Sequence, residues 1–415
     1  MSSSTQGALV QLHSMGDQDK PLYCNPEKTL FKSRLIPIHP FGKATMTVAL
    51  NPGASRQVEV EIPRAADLVQ KAAVCALFPG LVASPPDDYA YYVNGLMYRY
   101  IETATLQIIG VTIAKEWGLS SFIYDTLFKD PDRVANEMSG VRSSQAQLIA
   151  DAQIAKKPYY LDLDFYCFQF PGSAFPQSAI ANKVSVTITF APIQTLWVSS
   201  PSGQVPQAMV DDKNCGSLSD SSISVWLQFD YIMLEADERE KMQSRRLFYL
   251  MRQVQRNQFQ TAQNQSSFAP INIDLTFNHP AFLLAFVVQA QENIEAKDYI
   301  NFTYRNEIDP IVSANLVVCN TTYGLEQNAA LLRTRNLADV NLNIPRHQIY
   351  GIPFCIDCRS QQNTGSLNFT YLDKPQLQVR LRPNSPILII TIFLWVYNYF
   401  RVVRGRSGPQ FNTQL

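Results

Sequence analysis

Two cysteines separated by two residues, Cys355-Ile356-Asp357-Cys358, form the sharpest chemical motif in this 415-residue chain. Thiols at that spacing carry out disulfide exchange when they open a helix after a strand, because the helix N-terminus lowers a thiol pKa. Here the motif follows a strand-like segment, residues 349–354, and precedes the turn-rich Gln361-Gln362-Asn363-Thr364-Gly365. A zinc site needs four ligands; Cys319 and His347 could complete one, but no second close pair accompanies them. The expectation is two ordinary thiols, replaceable by serine without loss of assembly. His279, in Asn278-His279-Pro280, is one of four histidines. It lacks a nucleophile or carboxylate partner in the sequence around it and reads as a structural residue bonded to nearby backbone. Asp162 and Asp164 share one face of a strand and could hold a cation, but nothing nearby completes a site, so they are expected to face solvent. A phosphate-binding glycine loop, a nucleophile elbow and a metal-binding HExxH helix are all missing. No constellation supports an enzyme, and no catalytic, metal or cofactor residue is assigned.

Composition narrows the class. Hydrophobic residues make up 46% and charged residues 17%, which supplies large cores and argues against disorder. The length suggests two or three domains. Lys and Arg number 35 and Asp and Glu 35, so there is no basic field to release counterions from phosphates, and nucleic-acid coating is excluded. The seven cysteines, at 24, 75, 167, 215, 319, 355 and 358, are odd in number and scattered. Residues 1–20 are polar and carry no secretory signal, which reads as a reduced, cytosolic product. Asn264, Asn301, Asn320 and Asn368 head Asn-x-Ser/Thr triplets and are expected to go unused without a signal peptide.

The elements that would hold these residues are mostly strands. Ile223, Val225, Leu227, Phe229, Tyr231 and Met233 alternate with polar residues, a period of two. At Asp237 the period changes: Leu247, Leu250, Met251 and Val254 follow helical spacing, and Asp237 with Glu240 reads as a capping box. That stripe predicts a severe effect for Leu250→Asp and a mild one for Arg252→Ala. Ile271, Ile273, Leu275 and Phe277 alternate again, before an apolar run over 282–288. A hairpin is predicted around Asn51-Pro52-Gly53, and Asp373-Lys374-Pro375 is expected to turn the chain. Residues 65–78 read as a short helix, 105–150 as mixed, 160–170 and 183–190 as strands, and 79–95 and 199–222 as long loops. Residues 387–396, apolar apart from Thr391, are half the ~20 needed to cross a membrane. They read as a strand buried on both faces. Arg401, Arg404 and Arg406 read as a solvated basic end, and residues 1–20 as an extended arm. Two β-blocks around one helix mean an all-β chain of two tandem sandwiches. Periodicity does not choose between immunoglobulin-like and jelly-roll sandwiches.

Five segments carry a family resemblance. Residues 229–239, Phe-Asp-Tyr-Ile-Met-Leu-Glu-Ala-Asp-Glu-Arg, with Phe277-Asn278-His279-Pro280, resemble the middle of the major capsid proteins of nucleocytoplasmic large DNA viruses. Residues 25–32 resemble the family's opening, 170–176 its proline-glycine segment, 365–373 its late hairpin and 398–405 its closing strand. The resemblance implies a double jelly roll: two tandem eight-stranded jelly rolls joined by a short helix. It divides the chain into an arm (1–24), a first jelly roll (25–236), a linker helix (237–262), a second jelly roll (263–405) and a tail (406–415). It implies a structural capsid subunit, forming trimeric pseudo-hexameric capsomers that tile an icosahedral shell. The partners implied are other copies of the chain, minor capsid proteins and, through other proteins, an inner membrane layer, with no direct nucleic acid. The place implied is the virion, after synthesis in the host cytoplasm. The sequence departs from the family in a less glycine-rich closing segment, residues 404–409, and in residues 108–128, which keep only Gly110, Ile113, Lys115 and Trp117. A minor-capsid or scaffold paralogue is therefore an alternative. A carbohydrate-binding sandwich would use Tyr89, Tyr91, Tyr92 and Tyr98 as a platform; an oxidoreductase using Cys355 and Cys358 ranks last.

Overall fold

A computed structural model of the chain describes residues 35–411, apart from 54, 130–137, 212–213, 262–269, 304–308, 320 and 384, together with residues 9, 10, 12, 13, 25 and 31. Residues 1–40 form one unit and 41–415 another. The expected arm, the family's opening segment, Cys24, Asn264 and Asn320 fall wholly or almost wholly outside the described residues.

The first block contributes β1 (Phe41–Leu50), β2 (Gln57–Glu61), β3 (Leu68–Val82), β4 (Ile101–Ile108), β5 (Val111–Trp117), β6 (Lys156–Asp162), β7 (Val184–Phe190) and β8 (Ser224–Leu234). One sheet runs β1-β8-β3-β6 and the other β2-β7-β4-β5, all antiparallel. The alternation in β8 places Val225, Leu227, Phe229 and Tyr231 in the core. Its polar face is used across the ladder, where Thr45 Oγ1 donates to Asp230 at 3.0 Å. Inward residues of the facing sheet, Leu106, Val186 and Ile188, complete this core.

The second block repeats the plan with β9 (Leu247–Gln260), β10 (Ile271–Asp274), β11 (Pro280–Ala290), β12 (Ile311–Val318), β13 (Thr321–Asn328), β14 (Ile349–Pro353), β15 (Gln376–Leu381) and β16 (Leu388–Val403). Its sheets run β9-β16-β11-β14 and β10-β15-β12-β13. Adding eight to each label of the first block yields the second. Two facing four-strand ladders in this order are a jelly roll, and the chain holds two of them.

The absence of period two in β11 and β16 now has a cause. On β16, Leu388, Ile390, Ile392, Leu394 and Val396 face the second roll's own core. Phe393, Trp395 and Tyr397, on the other face, belong to the core continuous with the first roll. β11 divides the same way, with Leu284, Phe286 and Val288 inward and Leu283, Ala285 and Val287 toward the first roll. The apolar run is thus a strand with both faces buried, as its length and β-branched content imply, and no described helix is long and apolar enough to cross a membrane.

Several expectations need correction. The helix between the rolls, α2, covers only Ala236–Ser244. Leu247–Gln260 is β9, so the second roll begins near 247 rather than 263. The helical spacing of Leu247, Leu250, Met251 and Val254 is coincidental. Mid-strand β9 is buried on both sides, which erases the alternation that marks a strand. The N-cap of α2 is Glu235 and makes no side-chain cap, so the Asp237–Glu240 box does not form, although Asp237 and Glu238 do occupy the first turn. Residues 65–78 are strand, not helix: its alanines pass between β8 and β6 in a crowded central position. The two long loops are ordered against each other. Tyr89–Tyr92 pairs with Trp197–Ser200, and Gln207–Asp211 pairs with Asn214–Ser217 and with the end of β3. Asp87 pins them, accepting from Ser199 Oγ (2.8 Å), Gln204 N (2.7 Å) and both N and Oγ of Ser202. These donors outweigh its desolvation and hold the carboxyl at about 2. Arg406–Pro409 of the expected tail folds back on β16 as a further strand.

Candidate functional site at the seam between the jelly rolls

The residues that could do work in this fold meet where the two rolls touch. Aromatic side chains supply most of the contact. Trp117, ending β5, lies 6.3 Å from Phe393. The helix α1 (Gly118–Phe128) follows and sets Phe128 6.4 Å from Trp395. Phe400 of β16 sits 5.7 Å from Tyr166 and 5.8 Å from Phe175. Phe122 of α1 meets Phe302 at 6.1 Å and the His347 ring at 5.2 Å. Burial pushes His347 down, favouring the neutral ring this packing needs.

Polar groups fix the register of the seam. Arg252 on β9 is only 5% exposed. It donates to the carbonyl of Cys358 at 3.2 Å and to that of Ser360, and its guanidinium lies 5.2 Å from the Phe170 ring of the first roll. Gln253 Nε2 donates to Ile113 O at 2.5 Å. Asn343 Nδ2 donates to Thr126 O at 3.2 Å and to Lys129 O. Lys297 Nζ reaches Gln194 O at 2.7 Å and Trp197 O at 2.8 Å, 4.3 Å from the Trp197 ring. The bonds of Gln253, Asn343 and Lys297 join one roll to the other across a hundred or more residues of sequence, while Arg252 is bonded within the second roll and meets the first through the Phe170 ring.

Beside the seam Asp162 faces solvent as expected, and the structure corrects the reading of Asp164. Asp164 is buried, past the end of β6, and the cation it meets is Lys129. Lys129 Nζ lies 2.6 Å from Asp125, 3.0 Å from Asp164 and 3.7 Å from Asp162. Tyr98 OH donates to Asp125 at 2.6 Å, and Asp164 N donates to Glu116 Oε2 at 3.1 Å. Burial pushes Glu116 up to about 8, against the pull of that N–H and of Lys129. A raised carboxyl pKa means the folded chain holds a proton that the unfolded chain releases near ~4.3. Its contribution is therefore complete below that value and is lost as pH rises through about 8. Melting temperature should fall between about pH 5 and about pH 8 in the natural chain and less steeply in Glu116→Gln. Parallel pH profiles by scanning calorimetry would contradict this.

The remaining candidates are dispersed. Cys319 sits on an exposed turn between β12 and β13, His347 is half-buried, and no metal-capable cluster occurs among the described residues. Cys355 and Cys358 are brought together, their Sγ atoms 3.0 Å apart. His279 adopts φ +72°, and its backbone bonds Thr370 and Phe369. The four tyrosines form no single platform: Tyr89 and Tyr91 stack at 6.1 Å, while Tyr92 and Tyr98 are core residues. Asn301 is committed to Asp298 and Thr303, and Asn368 accepts from Thr370 N. Arg401 and Arg406 face each other's strands in the closing hairpin. Sequence reasoning missed Arg252, Lys129, Glu116 and Lys297. A hint existed for one: Arg252 and Gln253 lie between Met251 and Val254, polar groups inside an apolar segment that must find partners if buried.

With this geometry in place, comparison with known proteins is decisive. The family described as large eukaryotic DNA virus major capsid protein matches residues 238–397, and the one described as major capsid protein N-terminus matches residues 29–235. The chain belongs to the major capsid protein family of large eukaryotic DNA viruses. The two matches meet at α2, where the first roll gives way to the second. This capsid protein is 23% identical to a major capsid protein of Pyramimonas orientalis virus over 97% of this chain and 98% of that one. It is 28% identical to one of Paramecium bursaria Chlorella virus 1 over 68% of this chain, but spans only 60% of that protein. PBCV-1 VP54 superposes with a TM-score of 0.75 at 20% identity, covering 93% of this chain and all of that one. The Faustovirus major capsid protein superposes with a TM-score of 0.72 at 10% identity, covering 96% and 97%. The shared fold is the double jelly roll. As a member of this family the protein is a structural subunit of a viral capsid.

Proposed function

We propose that three copies of this capsid protein form a capsomer of pseudo-sixfold outline, which tiles a flat face of an icosahedral shell. The observation that carries the reading is the repeat of one strand order in two rolls, locked together by a buried seam. Three rigid pairs provide six similar modules, and a ring of heterologous contacts closes on itself. Among the described residues, the first strand of each roll, β1 and β9, ends its larger sheet with one edge unpaired. Apolar side chains stay exposed there: Phe41 and Met46 on β1, and Phe248, which stacks on Tyr399 at 4.9 Å. Free edges with exposed apolar groups are normally covered, and neighbouring copies are the proposed cover. The role is mechanical, without catalysis or cofactor. Minor capsid proteins and, through other proteins, an inner membrane layer are the further partners. Zero net charge fits the absence of direct nucleic-acid contact. Assembly would take place in the host cytoplasm and end in the virion shell.

Light scattering on the purified chain should return about three times 46.8 kDa, with little change on dilution. A stable monomer at micromolar concentration, in every buffer tried, would overturn the capsomer.

A further inference from the structure

The loop between β14 and the Leu367–Asn368 strand carries the two cysteines that sequence reasoning set aside. It is tightly constrained. Thr364 Oγ1 donates to Asp357 O at 2.8 Å and accepts from Asp357 N at 3.1 Å, and Asp357 Oδ1 accepts from Arg359 N at 2.9 Å. Gly365, at φ +139°, returns the chain so closely that a Cβ there would lie 3.1 Å from Cys355 Cα. Cys358 N bonds Val340 O at 3.1 Å, fixing the second cysteine from behind. The result is a Sγ–Sγ contact of 3.0 Å with unequal exposure. Cys355 is half-buried beneath an exposed Ile356, whereas Cys358 is fully enclosed. The same loop supplies the Cys358 and Ser360 carbonyls that receive Arg252, and its Gln361 side chain lies against Gly172 of the first roll.

We propose that Cys355 and Cys358 form a reversible disulfide, made by exchange with a low-molecular-weight disulfide, that locks the loop on which the seam rests. Cys355, the accessible sulfur, attacks as its thiolate; one S–S bond of the reagent breaks and a mixed disulfide forms, releasing one thiol. Cys358 gives up its proton and attacks Cys355 Sγ, displacing the second thiol. Two electrons and two protons pass to the reagent, which ends as two thiols, and one S–S bond remains on the protein. The contact with the Cys358 thiol pulls the Cys355 thiol down, which favours Cys355 as the attacking thiolate.

The test uses the full chain, folded, with oxidised glutathione, followed by alkylation and peptide mass analysis. The exposed Cys215 and Cys319 report that the reagent is active. The expected product is a 355–358 peptide that has lost two hydrogens and carries neither glutathione nor alkyl group. In Cys358→Ser, glutathione should stay on Cys355. Tryptic cleavage after the exposed Arg359 should slow on the order of tenfold in the oxidised chain, as closing even a short ring restricts local opening. Glutathione retained on Cys355 of the natural chain, or both thiols still alkylated while Cys215 has reacted, would overturn the proposal. Equal cleavage rates in the two redox states would overturn the locking role.

Discussion

Replacing Gly118 by alanine is expected to leave no folded protein. Gly118 opens α1 directly after Trp117, where the chain turns from strand into helix against a neighbouring segment. A Cβ on this residue would lie 1.8 Å from Tyr98 O and 2.4 Å from Ile101 O. Both are backbone atoms, so no side-chain rotation relieves the overlap. Nor can the backbone withdraw easily. Residues 96–100 lead straight into β4, which is held between β7 and β5. Moving α1 instead would carry Phe122, Asp125 and Phe128 out of the seam. The loss should exceed ~5 kcal/mol, beyond the reach of ordinary substitutions, and appear as insoluble protein on expression. Gly110→Ala is the control. Unlike Gly118 it has positive φ, at +73°, but open space around it, so its cost should be about 1 kcal/mol. Soluble Gly118→Ala protein melting within a few degrees of the natural chain would show that the close approach is not real.

Arg252→Ala should be the most damaging loss of a charged side chain, reversing the mild effect that the helical reading implies. The guanidinium is enclosed by Phe170, Phe282 and Tyr397 and bonds two main-chain carbonyls. Removal strands both acceptors at about 1–3 kcal/mol each and leaves a cavity between the rolls. A total of roughly 3–5 kcal/mol would lower the melting temperature by roughly 3–6 °C in a chain of this size. Arg245→Ala, at the exposed end of α2, should stay within ~0.5 kcal/mol. Leu250, half-buried on β9, should be less sensitive to substitution than Arg252. Equal melting temperatures for the two arginine variants, measured by differential scanning fluorimetry, would contradict the seam described here.

Where one face of a strand meets water, the sequence by itself determined the structure. The alternation in 223–231 and in 377–381 is visible because polar and apolar neighbours answer to opposite faces, and each is a strand in the register that this pattern demands; past the irregularity at Asp230–Tyr231, Ile232 is buried and Met233 exposed, and in 184–190 the Ser185 and Thr187 face is buried as well. Turn residues at 51–53 and 373–375 marked turns for local reasons of backbone freedom, but these turns cross between sheets and close no hairpin: β1 pairs with β8 and β2 with β7, while Leu367–Asn368 pairs with β11 and β15 with β10 and β12. The long apolar run at 387–396 was legible as a doubly buried strand from its length and branching.

Tertiary structure alone decided what lies at the seam. There, both faces of β9, β11 and β16 are covered, so period two vanishes, and in β9 the surviving spacing imitates a helix. The partners of Arg252, Gln253 and Lys297, and Asp164 for Lys129, sit on segments brought near only by folding, so no local pattern could announce them; only Asp125 lies one helical turn from Lys129. Asp164 illustrates the same limit. Its spacing from Asp162 suggested a solvent-facing pair, yet the chain turns inward after β6 and delivers it to Lys129 at the end of α1. The contact between Cys355 and Cys358 is likewise a product of the Gly365 turn and of Val340 behind it, not of the two-residue spacing. Local propensity and one-sided burial are written along the chain; two-sided burial and long-range charge pairing exist only once the two rolls have met.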